Sequence, residues 1–221
     1  MELSAILLAV VALLVTLLRD FFLPSYFRPQ LDLSFSLEEP ISRTSRVEWK
    51  IGALGASVIR QAFWARLRVT NKGRSAARRC QGVITEVRQP NGALDARYDP
   101  CTLRWAVSPQ AEGLEALDIA RNRQVDLNVV RTIDESPSAT IVTHADALGA
   151  ATTFAKGDYW IKIAIYGDNL RRPVELGFAM QWDGLDFQNG LKMCRMDKLP
   201  SSRCGWPWAP IQTEDDASND M

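Results

Sequence analysis

The chain has 221 residues, in which 26 Lys plus Arg are matched by 26 Asp plus Glu, with one histidine and four cysteines. Zero net charge excludes attraction of nucleic acid by bulk charge, leaving only local clusters to attract an anion. A single His144 and dispersed cysteines exclude the usual zinc spacings, and no D-x-D-x-D-G calcium loop, G-x-S-x-G elbow or Gly-rich phosphate loop occurs.

In chain order, residues 3–18 come first: seven Leu, three Val and one Ile with no charged residue. At ~0.3 to 0.6 kcal/mol of favourable insertion per large aliphatic, they supply roughly 3 to 7 kcal/mol and read as a transmembrane helix. Sixteen helical residues reach ~24 Å, short of the ~30 Å hydrocarbon layer, so the span is extended to residues 1–23. A cleaved secretory signal is the competing reading, but no positive n-region and no small-x-small site accompany the apolar run. Arg19 and Arg28 follow the helix and no cation precedes it, so the positive-inside rule puts the large domain in the cytoplasm. Residues 24–30 form a juxtamembrane linker with Pro24 and Pro29.

Residues 31–211 are expected to form one β-sandwich domain, with residues 61–184 its most secure part. Leu31, Leu33, Phe35 and Leu37 alternate with polar residues, as do Phe63, Ala65, Leu67 and Val69 with Trp64, Arg66, Arg68 and Thr70. The same period continues at Val125, Leu127 and Val129, at Tyr159 to Ile165, and at Val174 to Trp182. Such half-buried alternation predicts antiparallel strands in two packed layers. Asn71-Lys72-Gly73 and Pro90-Asn91-Gly92 supply turn chemistry, and Asp168-Asn169 with Pro173 predicts a hairpin. Residues 43–60 accommodate an extra hairpin and residues 185–199 a short helix. Residues 212–221 are acidic, carry almost no large apolar residue and are expected to be a disordered tail.

The run from Phe63 through Asn71-Lys72-Gly73 to Ala77 resembles the strand-turn-strand of CARDB-like and related immunoglobulin-like bacterial domains. Leu103-Arg104-Trp105-Ala106 and Gly157-Asp158-Tyr159-Trp160-Ile161-Lys162-Ile163 are similar to segments of membrane-anchored bacterial proteins with that sandwich. The resemblance implies an immunoglobulin-like scaffold for binding, with no catalytic residue to carry over. The Cys...Trp...Cys arrangement of antibody domains is missing.

The most informative local feature is basic. Arg60 begins a stretch with no acid until Glu86, and Trp64, Arg66 and Arg68 are expected to share the outward face of one strand. Lys72, Arg74, Arg78 and Arg79 extend the cluster past the turn. One reading is an interaction surface for a protein or for anionic lipid headgroups; the other is a solvated face with Arg stems over the Trp ring. Nucleic acid is disfavoured because no recognised motif accompanies the charge. Asp183 and Asp186 beside Gly184 read as turn residues and Cys80 as a small buried hydrophobe. Cys194 and Cys204 are near enough in sequence to bridge in an oxidising space, and Trp206-Pro207-Trp208-Ala209-Pro210 is expected to close one end of the sandwich, the alternative being an exposed recognition segment.

Together these features predict a single-pass, membrane-anchored, non-enzymatic module that uses no cofactor or metal and binds a protein partner or joins a membrane assembly. The alternative is an extracytoplasmic module that binds carbohydrate or a small ligand through Trp64 and Trp206.

Overall fold

The period-two runs form strands, and their apolar faces meet across a shared core. A computed structural model describes residues 2–51, 56–106, 116–143, 152–196, 198 and 206–207. Among these, twelve strands build two antiparallel sheets of six. In the first, β1 (Leu31–Ser36) and β2 (Arg43–Ile51) lie end to end along β3 (Ala56–Asn71). On the other side of β3 follow β7 (Gln124–Ile133), β8 (Ala139–Ile141) and β9 (Thr153–Phe154). The second sheet runs β12 (Leu191–Arg195), β11 (Val174–Trp182), β10 (Gly157–Tyr166) and β4 (Ala77–Arg88). β5 (Cys101–Thr102) and β6 (Leu117–Ile119) then share the free edge of β4. The protein is thus mainly β and sandwich-like.

Alternation places Ala65, Leu67 and Val69 of β3 fully inside, facing Ile161, Ile163 and Ile165 of β10 and Phe178 and Met180 of β11 in one buried cluster. Phe35 and Phe178 join the two sheets edge to face at 4.9 Å. Gly82 of β4 makes room for Leu127 of β7, since a Cβ there would lie 2.3 Å from a Leu127 methyl. One flank is closed by a backbone that changes sheets. The Leu103 N–H donates to the Gly82 carbonyl of the second sheet, while Arg104 and Ala106 donate to Val142 and Asp126 of the first. Trp105 is buried in that crossing and its indole donates to the Cys80 carbonyl.

The expected extra hairpin is present as β2 and the distal half of β3, whose register runs from Arg43↔Trp64 to Ile51↔Ala56. The expected helix over residues 185–199 is corrected. Asp183 and Asp186 each accept the backbone N–H groups of the residues two and three positions on, and these Asx turns lead into β12, where Leu191 and Met193 are buried and Lys192 is exposed.

Ahead of the sandwich, α1 (Glu2–Leu17) passes into a π turn at Leu18–Phe22 and a short α2 (Leu23–Tyr26). No helix among the described residues is long and apolar enough to cross a membrane. The transmembrane helix expected over residues 1–23 is therefore corrected to an α-helix of 16 residues. Arg19 and Asp20 end the apolar run there. Pro24 has no N–H to offer the Asp20 carbonyl, and the ladder ahead of it widens so that the Leu23 N–H reaches the Leu18 carbonyl. Each described side chain from Val10 to Asp20 is exposed.

Candidate functional site: a basic pole where the helix leaves

β3 ends at Asn71, and this buried amide organises one pole of the sandwich. Its NH2 group donates to the Ser75 and Ile119 carbonyls at 2.8 and 2.9 Å. Its oxygen accepts the Gly73 N–H at 2.9 Å and the Gln30 N–H at 3.3 Å. One side chain thereby ties the linker from the helix, the β3–β4 turn and the end of β6 together. Gly73 is required by the same packing, because a Cβ would lie 2.3 Å from the Gln30 nitrogen and 2.5 Å from the Pro29 Cα. The Lys72 N–H to Gln30 and Arg74 N–H to Arg28 bonds continue the linker along the turn.

The segments gathered at this pole are basic. The linker contributes Arg28, which is exposed. The β3–β4 turn contributes Lys72, paired with Asp32 at 2.5 Å, and Arg74, whose guanidinium lies 3.6 Å from the centre of the Tyr26 ring. Arg78 and Arg79 open β4, and the Asn169 side chain clamps that start by accepting the Arg78 N–H and donating to the Ala76 carbonyl. Arg121 and Arg123 stand on the β6–β7 turn, held to Asn71 by the Asn122 N–H and the Arg123 carbonyl. Arg171 and Arg172 stand on the β10–β11 hairpin. Within residues 28–32, 71–79, 117–123 and 167–173 there are nine cations against three carboxylates, Asp32, Asp118 and Asp168. At the opposite pole the β7–β8 and β11–β12 turns carry Asp134, Glu135, Asp183 and Asp186 and no cation.

The basic cluster expected from sequence is thus divided. Lys72, Arg74, Arg78 and Arg79 belong to the pole, whereas Trp64, Arg66 and Arg68 lie on the outer face of the first sheet and are engaged within it. Arg66 is buried rather than outward in solvent, at 7% exposure, and its Nε donates to the Asn128 side chain at 2.8 Å. Burial, with Arg43 nearby, lowers its pKa, and Asp126 opposes the shift. Arg68 forms a two-pronged bond with Asp126 at 2.9 and 3.2 Å, which raises its pKa. The Trp64 indole donates to Ser45, and Arg131 lies 5.3 Å from its ring centre. Residues 37–42 connect β1 to β2 at this point of β3, and the buried Ser42 sits against the Arg66 backbone. Its hydroxyl donates to the Ser36 carbonyl and accepts the Arg66 N–H.

Arg28, Arg121, Arg123, Arg171 and Arg172 are the pole residues that linear clustering misses. Their signal lies in connectivity: each sits in the linker or in a turn that an antiparallel count of strands returns to the same end.

Elsewhere, Cys80 is fully buried and burial pushes its thiol up to about 12, aided by Asp118 and Asp168. Trp206 is buried against Trp160 and Ala179 on the outer face of the second sheet, so closure is lateral at that residue. His144, Cys204, Trp208 and the acidic tail lie outside the described residues. Among the described residues, no group of three or more His, Cys, Asp or Glu is placed to hold a metal ion. Compared with models of known protein families, with curated proteins and with solved structures, the chain matches none.

Proposed function

We propose that the chain is a membrane-tethered, non-enzymatic module that binds a protein partner or joins a membrane assembly, with its basic pole toward the cytoplasmic leaflet. The observation that carries this reading is the exit of an exposed apolar helix from the most basic part of the molecule. Large exposed apolar surface demands a cover, and Val11, Leu13, Leu14, Val15 and Leu18 are each more than half exposed. Alone, α1 spans about 24 Å against a hydrocarbon layer of about 30 Å. Too short to cross that layer, α1 is placed as an anchor that buries its apolar side chains in one leaflet, with Arg19, Phe22 and Tyr26 at the headgroup boundary. Cations beside the exit favour the cytoplasmic side.

The strand order supports the immunoglobulin-like form of the reading. β1-β3-β7 opposing β11-β10-β4 follows the order of strands A, B, E against G, F, C. The carbohydrate alternative loses its aromatic platforms, because Trp206 is buried and Trp64 is flanked by Arg131.

Cell fractionation of the full chain tests the tether. Retention in the membrane pellet through high salt and alkaline carbonate, with a C-terminal reporter active in the cytoplasm, is the expected result. Release of the intact chain by either wash contradicts it.

A further inference from the structure

Resting on the tethered reading, we propose that a cleft within the basic pole binds the phosphate of an anionic phospholipid headgroup. The cleft lies between the start of β4 and the β10–β11 hairpin, and its cavity is about 250 Å³. At about 30 Å³ per water it has room for roughly eight waters, enough for a phosphodiester with a small polar substituent. Arg79, Arg171 and Arg172 line it together with Tyr166 and Gln81, and Asp168 is its single carboxylate among the described residues.

Three arginines lining one small cleft match the chemistry of phosphate. Their planar forks donate paired hydrogen bonds to its oxygens, and a phenol and an amide add neutral donors. Arg79 is built for this position at a cost. It sits at φ 47°, a left-handed conformation that L side chains other than Asn and Asp seldom adopt. The strain lies in a bulge where β4 slips against β6 between Ala77 and Cys80, and the Arg79 N–H is pinned there by Asp118 at 2.7 Å. Bulges of this kind re-aim a side chain. Here the side chain joins the cleft wall, 3.9 Å from Asp168.

Two features favour a lipid over a free anion. The cleft belongs to the same pole as the helix exit, and the surrounding Arg74, Arg78, Arg121 and Arg123 extend its positive field over an area wider than one phosphate. A headgroup with a net negative charge suits the site, whereas choline would place a cation among the arginines.

The test is calorimetric titration of the full chain in uncharged maltoside micelles with short-chain phosphatidylglycerol, short-chain phosphatidylcholine and inorganic phosphate. Saturable binding of phosphatidylglycerol is expected, at least about tenfold tighter than either of the others. R171Q/R172Q should weaken it about tenfold or more, R171K/R172K, which keeps the charge but not the paired donors, by a smaller factor, and R60Q, beside Glu135 at the opposite pole, by less than threefold. Equal binding of the two lipids, or an R171Q/R172Q variant that binds like the parent, overturns the proposal. Inorganic phosphate binding as tightly as phosphatidylglycerol overturns the lipid assignment. Loss of headgroup selectivity in a chain that still resists carbonate extraction refutes the cleft alone, and release from the membrane refutes the tether.

Discussion

Replacing Asn71 with alanine should loosen the basic pole more than any surface charge reversal. The amide donates two hydrogen bonds and accepts two, all to backbone groups in three separate segments. At a net 0.5 to 1.5 kcal/mol each, and with the Gln30 bond long at 3.3 Å, the four contribute roughly 3 to 4 kcal/mol. For a domain of this size each kcal/mol lowers the melting temperature by about 2 to 4 °C, so a fall of roughly 6 to 16 °C is expected. Thermal unfolding of the full chain in detergent, followed by near-ultraviolet circular dichroism of its tryptophans, reads it directly. Asn71→Asp keeps the two acceptor bonds but sets a carboxylate against the Ser75 and Ile119 carbonyls, and it should be no milder than alanine. A change below about 1 kcal/mol in both variants would refute the role of Asn71 as the joint between linker, turn and β6.

Two further outcomes follow from other parts of the structure. Cys80 titrates near 12 in the folded chain against an ordinary value of 9.0. The folded state therefore holds its proton when the unfolded state has lost it, and the associated stability is complete below about pH 9 and lost as pH rises toward 12. Urea unfolding between pH 8 and 11 should show that decline, and Cys80→Ala should reduce it. Trp206→Ala removes an indole buried on Trp160 and Ala179; a loss of about 3 kcal/mol or more is expected, measured by the same urea series at pH 7.5. An unchanged midpoint would mean that the segment bearing Trp206 adds nothing to the sheet it covers.

The sandwich was legible because its long strands alternate cleanly. Leu31 to Phe35, Phe63 to Val69 and Val174 to Trp182 each present one apolar face, and Asn71-Lys72-Gly73 marks the turn between β3 and β4. Short strands were not legible: β12 offers only Leu191 and Met193 as an alternating pair, too few to separate a strand from a helix turn by period. The site was half legible. Lys72, Arg74, Arg78 and Arg79 cluster in sequence, but Arg171 and Arg172 lie about a hundred residues away and meet Arg79 only through the antiparallel pairing of β4 with β10. Arg66 was placed on the wrong side of the solvent boundary: its Nε is held by Asn128 of β7 and its N–H by Ser42, 24 residues earlier, and the alternation of β3 reveals neither contact. Alternation assigns a face of a sheet, and only tertiary contacts decide whether that face meets water.

Hydrogen exchange read by mass spectrometry, on the full chain in nanodiscs of phosphatidylcholine with and without phosphatidylglycerol, tests most directly whether the basic pole rests on an anionic bilayer. Added phosphatidylglycerol should slow exchange in residues 71–79, 120–123 and 167–173 and leave residues 134–138 and 183–190 unchanged. Identical exchange at the two poles in both lipid mixtures, or failure of the chain to enter the nanodiscs, would contradict it.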